Sequence, residues 1–309
     1  MRHNLVFTAL FSLAVSTLLS AQGPGRTGKT TVVANSGPTA AQRAALSLTD
    51  TDLYCSGYFA QDSIHSGITV LGGPDGGLKN EFSDGDAIYL TKGNREISTP
   101  ESEYMILRAE ADPNMTESFP GQHDVLKQMG TLYAEIARIR VRVVNEKSAT
   151  AEILHACQPV LAGDIAVPFS ARSAPPLRNA AMGDRYAPAS GKPTGVIAAI
   201  KEFQQAAGTD HPIYLNIGKK KGANVGAYVR IYRKYGSASD EWIQKSTENY
   251  PIDIMGTYAG HKLSPEEKAA LPRTILGEAI ILSANDDTAT ALITYSWEDI
   301  YPGDEVEIE

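Results

Sequence analysis

Between residues 137 and 144 apolar and charged positions alternate. Ala137, Ile139, Val141 and Val143 fall on one side, and Arg138, Arg140 and Arg142 on the other. A two-residue period belongs to a strand with one buried face. Residues 145–148 (NEKS) are a polar turn, and residues 149–156 resume as a second strand, so the stretch predicts a β-hairpin. The same pattern recurs at 279–284, 285–287 and 288–296. Gly-Asp then turns each copy into a last short strand, 165–169 or 305–308. Upstream, residues 88–90 and 104–107 predict two more strands, matched by 213–217 and 225–232. Apolar runs at 67–71 and 195–200 open each set.

The recurrence is literal. Ile88, Tyr89, Leu90, Gly93, Ile106 and Arg108 return 125 positions later as Ile213, Tyr214, Leu215, Gly218, Ile231 and Arg233. Asn145, Ala149, Thr150, Ala151, Ile153, Gly163 and Asp164 return 140 positions later as Asn285, Ala289, Thr290, Ala291, Ile293, Gly303 and Asp304. These are 13 identities in 47 gapless positions, where average residue usage would give about three. The change of offset places a 15-residue longer excursion in the second copy, within residues 234–274. Five or six short strands per copy predict a mainly β protein of two tandem small antiparallel barrels or sandwiches.

The remaining segments complete the plan. Residues 170–194 (SARSAPPLRNAAMGDRYAPASGKPT), rich in Pro, Ala, Ser and Gly, read as a linker. Residues 22–52 read as a flexible N-terminal segment with a short helix at 39–48. Ser264, Pro265 and Glu267 carry the N-cap, first-turn proline and N3 glutamate of a short helix inside the long excursion. The expected boundaries are therefore 1–21, 22–52, 53–169 (first repeat), 170–194 and 195–309 (second repeat).

Residues 1–21 change the picture of where the chain works. Arg2 and His3 precede an uncharged run at 5–19, and Leu19-Ser20-Ala21 ends it. This is the pattern of a secretory signal peptide cut before Gln22, and a run of this length is short for a bilayer span. Export to the periplasm or cell envelope follows as the expectation, with no membrane span after cleavage. Two cysteines, Cys55 and Cys157, then predict one disulfide. The alternatives are two buried thiols, or a nucleophilic pairing of Cys157 with His155. The net charge of −8, without a basic tract, argues against nucleic acid as a partner.

The second copy, with IYLNIGKKKGANVGAYVRIYR and LGEAIILSANDDTATALITYSWEDIYPGDEVE, resembles the C-terminal domain of the bacterial flagellar assembly protein T family. The first copy keeps Gly93 and Gly163-Asp164 but has Glu101 where the second has Gly226. The resemblance covers about a third to half of the chain and rests on turn glycines. It implies a small β module at the cell envelope that makes protein contacts rather than catalysing a reaction. It does not extend to a flagellar role. Residues 130–138 (GTLYAEIAR) are similar to the opening of a LysM module, which implies a peptidoglycan- or glycan-binding alternative. The expected Asp is missing there, and a strand pattern follows where LysM starts a helix.

Candidate chemistry adds little. The six histidines form no local zinc pattern, so no metal or cofactor is expected. Asp62 with His65, and Asp210 with His211, lie in turn-like segments. Acidic turns at Asp84 and Asp86, Asp286 and Asp287, and Glu298 and Asp299 lack a twelve-residue calcium loop. An exported hydrolase with a dispersed Ser/His/Asp site remains a second alternative. Residues 23–30 (GPGRTGKT) fit the phosphate-loop pattern. That motif requires a buried strand before it and a helix after it. Gly37 and Pro38 follow too soon for the helix, so nucleotide is not an expected ligand. Two interaction surfaces stand out instead. One is the stripe of Arg138, Arg140 and Arg142, which suits an acidic partner or serves cross-strand pairs with acids such as Glu152. The other is the excursion carrying Tyr235, Trp242, Tyr250 and Tyr258, whose rings suit protein or cell-wall contacts or else cover the end of their own barrel.

Overall fold

The computed structural model describes residues 47–75, 77–97, 99–178, 184–237, 239 and 264–309. The segment read as a signal peptide, the 23–30 motif and most of the helix expected at 39–48 lie outside these residues. Residues 47 and 48 of that expected helix are not helical. The first helix is instead α1, Asp50–Tyr54, closed at its start by a capping box between Thr49 and Asp52. It straddles the boundary placed at residue 52.

The chain continues as β1 (Tyr58–Ala60), β2 (Val70–Gly72), β3 (Ala87–Thr91), β4 (Glu103–Glu110), α2 (Gln122–Met129), β5 (Thr131–Val144), β6 (Ser148–Ala156) and β7 (Ile165–Pro168). A second series follows: β8 (Thr194–Ile200), β9 (Pro212–Leu215), β10 (Tyr228–Arg233), α3 (Pro265–Ala270), β11 (Thr274–Ala284), β12 (Ala289–Ser296) and β13 (Glu305–Ile308). The protein is mainly β, as the periodicity predicts. α3 has the anticipated cap: Ser264 N–H donates to Glu267, and Glu267 N–H donates to the Ser264 hydroxyl.

Both strand sets share one wiring. The second forms a closed barrel in the order β8-β9-β12-β11-β10-β13, all antiparallel. The first runs β2-β3-β6-β5-β4-β7, the same order shifted by six strands. Its ends meet through a bridge between Thr69 and Ile165. Even the bulges recur. Register shifts at Ile106/Leu107, Arg138/Ile139 and Val141/Val143 reappear at Ile231/Tyr232, Glu278/Ala279 and Ile281/Ser283. The last of the first set corrects the simple alternation. The extra residue turns Val143 outward, so it is 51 % exposed while Ile139 and Val141 are fully buried.

The repeated residues make the two cores and their joints. Ile88, Leu90, Ile106, Ala149, Ala151 and Ile153 fill the first barrel, and their counterparts Ile213, Leu215, Ile231, Ala289, Ala291 and Ile293 fill the second. Gly93 and Gly218 recur because each hairpin turn presses against the loop behind it. A Cβ at Gly93 would lie 2.2 Å from the Asn145 carbonyl oxygen, and one at Gly218 would lie 2.4 Å from that of Asn285.

The two barrels belong to one compact unit. Leu53, Tyr54, Met105, Leu107 and Tyr133 pack with Tyr228, Ile280, Leu282 and Leu292 of the second barrel. Phe59, Met129 and Leu132 pack with Ala198, Ala199 and Tyr214. β1 extends β5 and is held from the other side by the second barrel: Tyr214 Oη donates to Ser56 O at 2.8 Å, Thr290 Oγ1 to Gly57 O at 2.9 Å, and Asn285 Nδ2 to Phe59 O. The excursion between β4 and β5 also reaches across. Gln122 Nε2 donates to Ala198 O at 2.9 Å, and Phe119 closes over Gly303.

Residues 170–193 of the segment read as a linker lack helix and strand where they are described, and Thr194 already opens β8, yet the segment is held at several points. Arg172 meets Glu135 and lies over the Tyr54 ring. Arg178 meets Glu278 and Glu309 and lies over Tyr228. Arg185 meets Glu298 near Trp297. Burial pushes the Glu135 carboxyl above the usual carboxylate range, and Arg172 pulls against that shift.

Candidate functional site

Cys55, at the end of α1, and Cys157, just past β6, are joined by a disulfide with a Cα–Cα distance of 5.4 Å. The bond ties the N-terminal segment to the first barrel across 102 residues. His155 reaches the same spot, with Nε2 3.7 Å from Cys55 Sγ. Neither cysteine carries a thiol here, so the nucleophile-pair reading has no thiol to activate.

Arg138, Arg140 and Arg142 stand in a row on β5, each facing acids of its own sheet. Arg138 Nε donates to Glu103 at 2.7 Å and its guanidinium lies over the Phe169 ring. Arg140 Nη2 donates to the other Glu103 oxygen at 2.7 Å. Arg142 bridges Glu152 at 2.7 Å and Glu101 at 2.9 Å. The two arginines hold the Glu103 carboxyl below the usual range even though burial pushes it up. The stripe is therefore a ladder of ion pairs rather than a bare cationic face.

Tyr235 borders a hollow of about 530 Å³ with Tyr186, Lys234 and Leu271. Trp242, Tyr250 and Tyr258 lie outside the described residues. The acidic turns serve as turn anchors and ion pairs. Asp86 accepts from Lys79 and from Ser83 N–H, Asp84 accepts from Ala156 N–H, Asp286 and Asp287 meet Lys220, and Glu298 meets Arg185. Residues 130–138, likened to a LysM opening, are the residue that caps α2, Gly130, and the first half of β5, so no helix starts there.

A different place has the attributes of a binding site. Two hollows of about 460 and 520 Å³ adjoin through Glu110, Ala111 and Phe203 and form one groove between the barrels. Phe59, Leu126 and Leu132 make its first wall apolar. Phe203 and Glu202 enter from the second barrel, and Asp112, His123 and Lys127 also border it. Glu202 and Phe203 are consecutive non-glycine residues with φ of 58° and 50°. Left-handed backbone costs about 1–2 kcal/mol per residue and clusters where function requires a set geometry. Asn114 Nδ2 holds the turn by donating to Phe203 O at 3.3 Å.

Two further properties converge on the groove. Burial pushes the Glu110 carboxyl above its ordinary range, against a hydrogen bond from Gln158, and the neighbouring Glu202 charge pushes the same way. β4 pairs with β5 from Glu103 to Glu110, but with β7 only from Tyr104 to Leu107. Over Arg108–Glu110 one side of β4 faces no paired strand among the described residues. An unpaired strand side next to an apolar trough accepts an extended chain by main-chain hydrogen bonding. None of these groove features is marked by a sequence motif. The sole local signal is the length of the β4–β5 connection.

Among the described residues no helix is long and apolar enough to cross a membrane. The chain matches no protein-family model and no curated protein, so the likeness to the flagellar assembly protein T family rests on the turn glycines and strand pattern quoted above.

Proposed function

We propose that the protein is an exported, non-enzymatic module of the bacterial cell envelope that holds a partner protein by an extended segment laid in the inter-barrel groove. The segment adds to the open side of β4 at Arg108–Glu110. It sets an apolar side chain against Phe59 and Phe203, and a Lys or Arg toward Glu110 and Glu202. The observation that carries the reading is the coincidence of an unpaired strand side with the strained Glu202–Phe203 turn in one trough. Charge favours the same occupant, because the acids Glu110, Asp112 and Glu202 outnumber Lys127 along the lining. Export is supported by the disulfide, which persists in oxidising compartments, and by the signal-peptide pattern of residues 1–21.

Fluorescence polarisation with short extended peptides that alternate apolar residues with Lys or Arg tests the groove. Binding is expected to weaken at least about tenfold in Glu110→Lys and in Phe203→Ala, and with rising salt. Equal affinity in the wild type and both variants would sink the groove assignment. Release of soluble muropeptides from isolated cell walls, lost in a groove variant, would replace the binding role with a hydrolytic one. N-terminal sequencing of the exported chain is expected to begin at Gln22.

A further inference from the structure

Cys55 Sγ, Cys157 Sγ and His155 Nε2 all lie within 4.8 Å of one another. Among the described residues this is the one group of three that brings metal-ligating atoms so close. Its backbone frame does not depend on the S–S bond. Cys55 N–H donates to Thr51 O at 2.9 Å at the end of α1, and Cys157 N–H donates to Ile136 O at 2.7 Å on β5. His155 is fixed by β6, where it stands opposite Arg138, whose charge is already matched by Glu103. Thr51 Oγ1 approaches the same imidazole nitrogen at 3.4 Å and marks the solvent side.

We propose that Cys55, His155 and Cys157 form a redox-gated site for a thiophilic d¹⁰ ion, Zn²⁺ or Cu⁺, closed while the disulfide stands and open once it is reduced. A dithiol reductant supplies two electrons and two protons to the S–S bond. That bond becomes two thiols while the reductant closes to its own disulfide. The ion then displaces the two thiol protons to water and takes the neutral imidazole as third ligand. Two thiolates and one imidazole suit trigonal Cu⁺, or tetrahedral Zn²⁺ with water in the fourth position, at Zn–S of about 2.3 Å and Zn–N of about 2.0–2.1 Å. The present spacing brings the three donors to such a sphere by side-chain rotation once the sulfurs part. The site lies apart from the inter-barrel groove and does not rest on the function proposed for it.

The test uses the whole chain, oxidised and anaerobically reduced, with Co²⁺ as the spectroscopic probe. The reduced chain is expected to take one equivalent and show thiolate-to-cobalt charge-transfer absorption, while the oxidised chain takes none. Competition with a zinc chelator in one arm and a cuprous chelator in another identifies the ion held more tightly. His155→Ala, which leaves both cysteines in place, is expected to weaken binding at least about tenfold and to change the cobalt spectrum. If reduction unfolds the chain, one equivalent of the preferred ion is expected to restore its circular dichroism. A folded reduced chain that takes no ion, a His155→Ala chain identical to wild type, or an unfolded chain that the ion does not restore would each overturn the proposal.

Discussion

Arg108 grips Asp164 with two parallel hydrogen bonds, Nε to Oδ1 and Nη2 to Oδ2, each 2.7 Å long. Arg233 and Asp304 repeat the pair atom for atom at the same 2.7 Å. Each arginine also donates to a carbonyl of the following loop, Pro159 or Asp299, and each aspartate also accepts from a backbone N–H, of Leu161 or Tyr301. The fork thus pins the turn before the last strand to the strand beside it, once in each barrel. In the second barrel Asp304 is fully buried and the Arg233 side chain is 14 % exposed, against 27 % for Arg108. Arg233→Ala is expected to cost about 3–5 kcal/mol, because it strands a buried carboxylate, and Arg108→Ala about 2 kcal/mol. Urea midpoints of the two variants check the order. Equal losses would mean that burial does not set the cost.

The close approach at the repeated glycines makes a second prediction. Gly93→Ala and Gly218→Ala each place a methyl within 2.4 Å of a turn carbonyl, which only a backbone shift relieves. Each is expected to cost about 2 kcal/mol or more. Gly208→Ala is the control, since the nearest atom to its Cβ is a flexible Ser296 hydroxyl at 3.6 Å. It is expected to stay within about 0.5 kcal/mol of wild type. Thermal melts of the three variants suffice.

How much of this was legible in the sequence depends on whether neighbours along the chain or across space set each residue's fate. The repeat was legible because Gly93, Arg108, Asn145 and Asp164, though distant from one another along the chain, meet within a single barrel, so any copy of that barrel keeps them. Glu135 was not. It lies in the 14-residue strand β5 yet is 2 % exposed, and its partner Arg172 comes from a segment whose Pro, Ala and Ser composition reads as slack chain. The groove was hidden for the same reason. Its walls come from Phe59, Glu110 and Phe203, which are far apart in sequence and share no pattern.

The Arg172–Glu135 contact can be measured directly. Arg172→Ala leaves the Glu135 carboxyl with the Gly57 N–H at 3.2 Å and only the more distant charge of Lys201. The loss is expected to be about 2–3 kcal/mol, because the Arg172 side is partly solvated. Glu135→Gln in the same chain is expected to recover part of it. A double-mutant cycle by chemical denaturation reads the coupling. Purely additive losses would mean that the segment is held by its backbone and rings alone.

Glu110 makes a pH prediction. Its carboxyl titrates higher in the folded chain than in the unfolded one, chiefly through burial. The folded state therefore binds that proton more tightly. The stability it lends is complete below the ordinary glutamate value of about 4.3 and is lost as pH rises through the raised folded value. Glu110→Gln is neutral throughout and escapes the loss. Its melting temperature is expected to match wild type near pH 4 and to exceed it near pH 7. A variant less stable than wild type at pH 7 would reverse the sign.

β1 and the Phe119–Gln122 stretch come from the first half of the chain, yet they are walls of the second barrel as much as of the first. A repeated unit suggests that either copy could stand alone. In this molecule neither half can be divorced from the other: a cut within residues 170–193 yields two torn surfaces, not two small proteins. Heating should melt both barrels in one event, and an expression fragment of either repeat should aggregate through the face it lost.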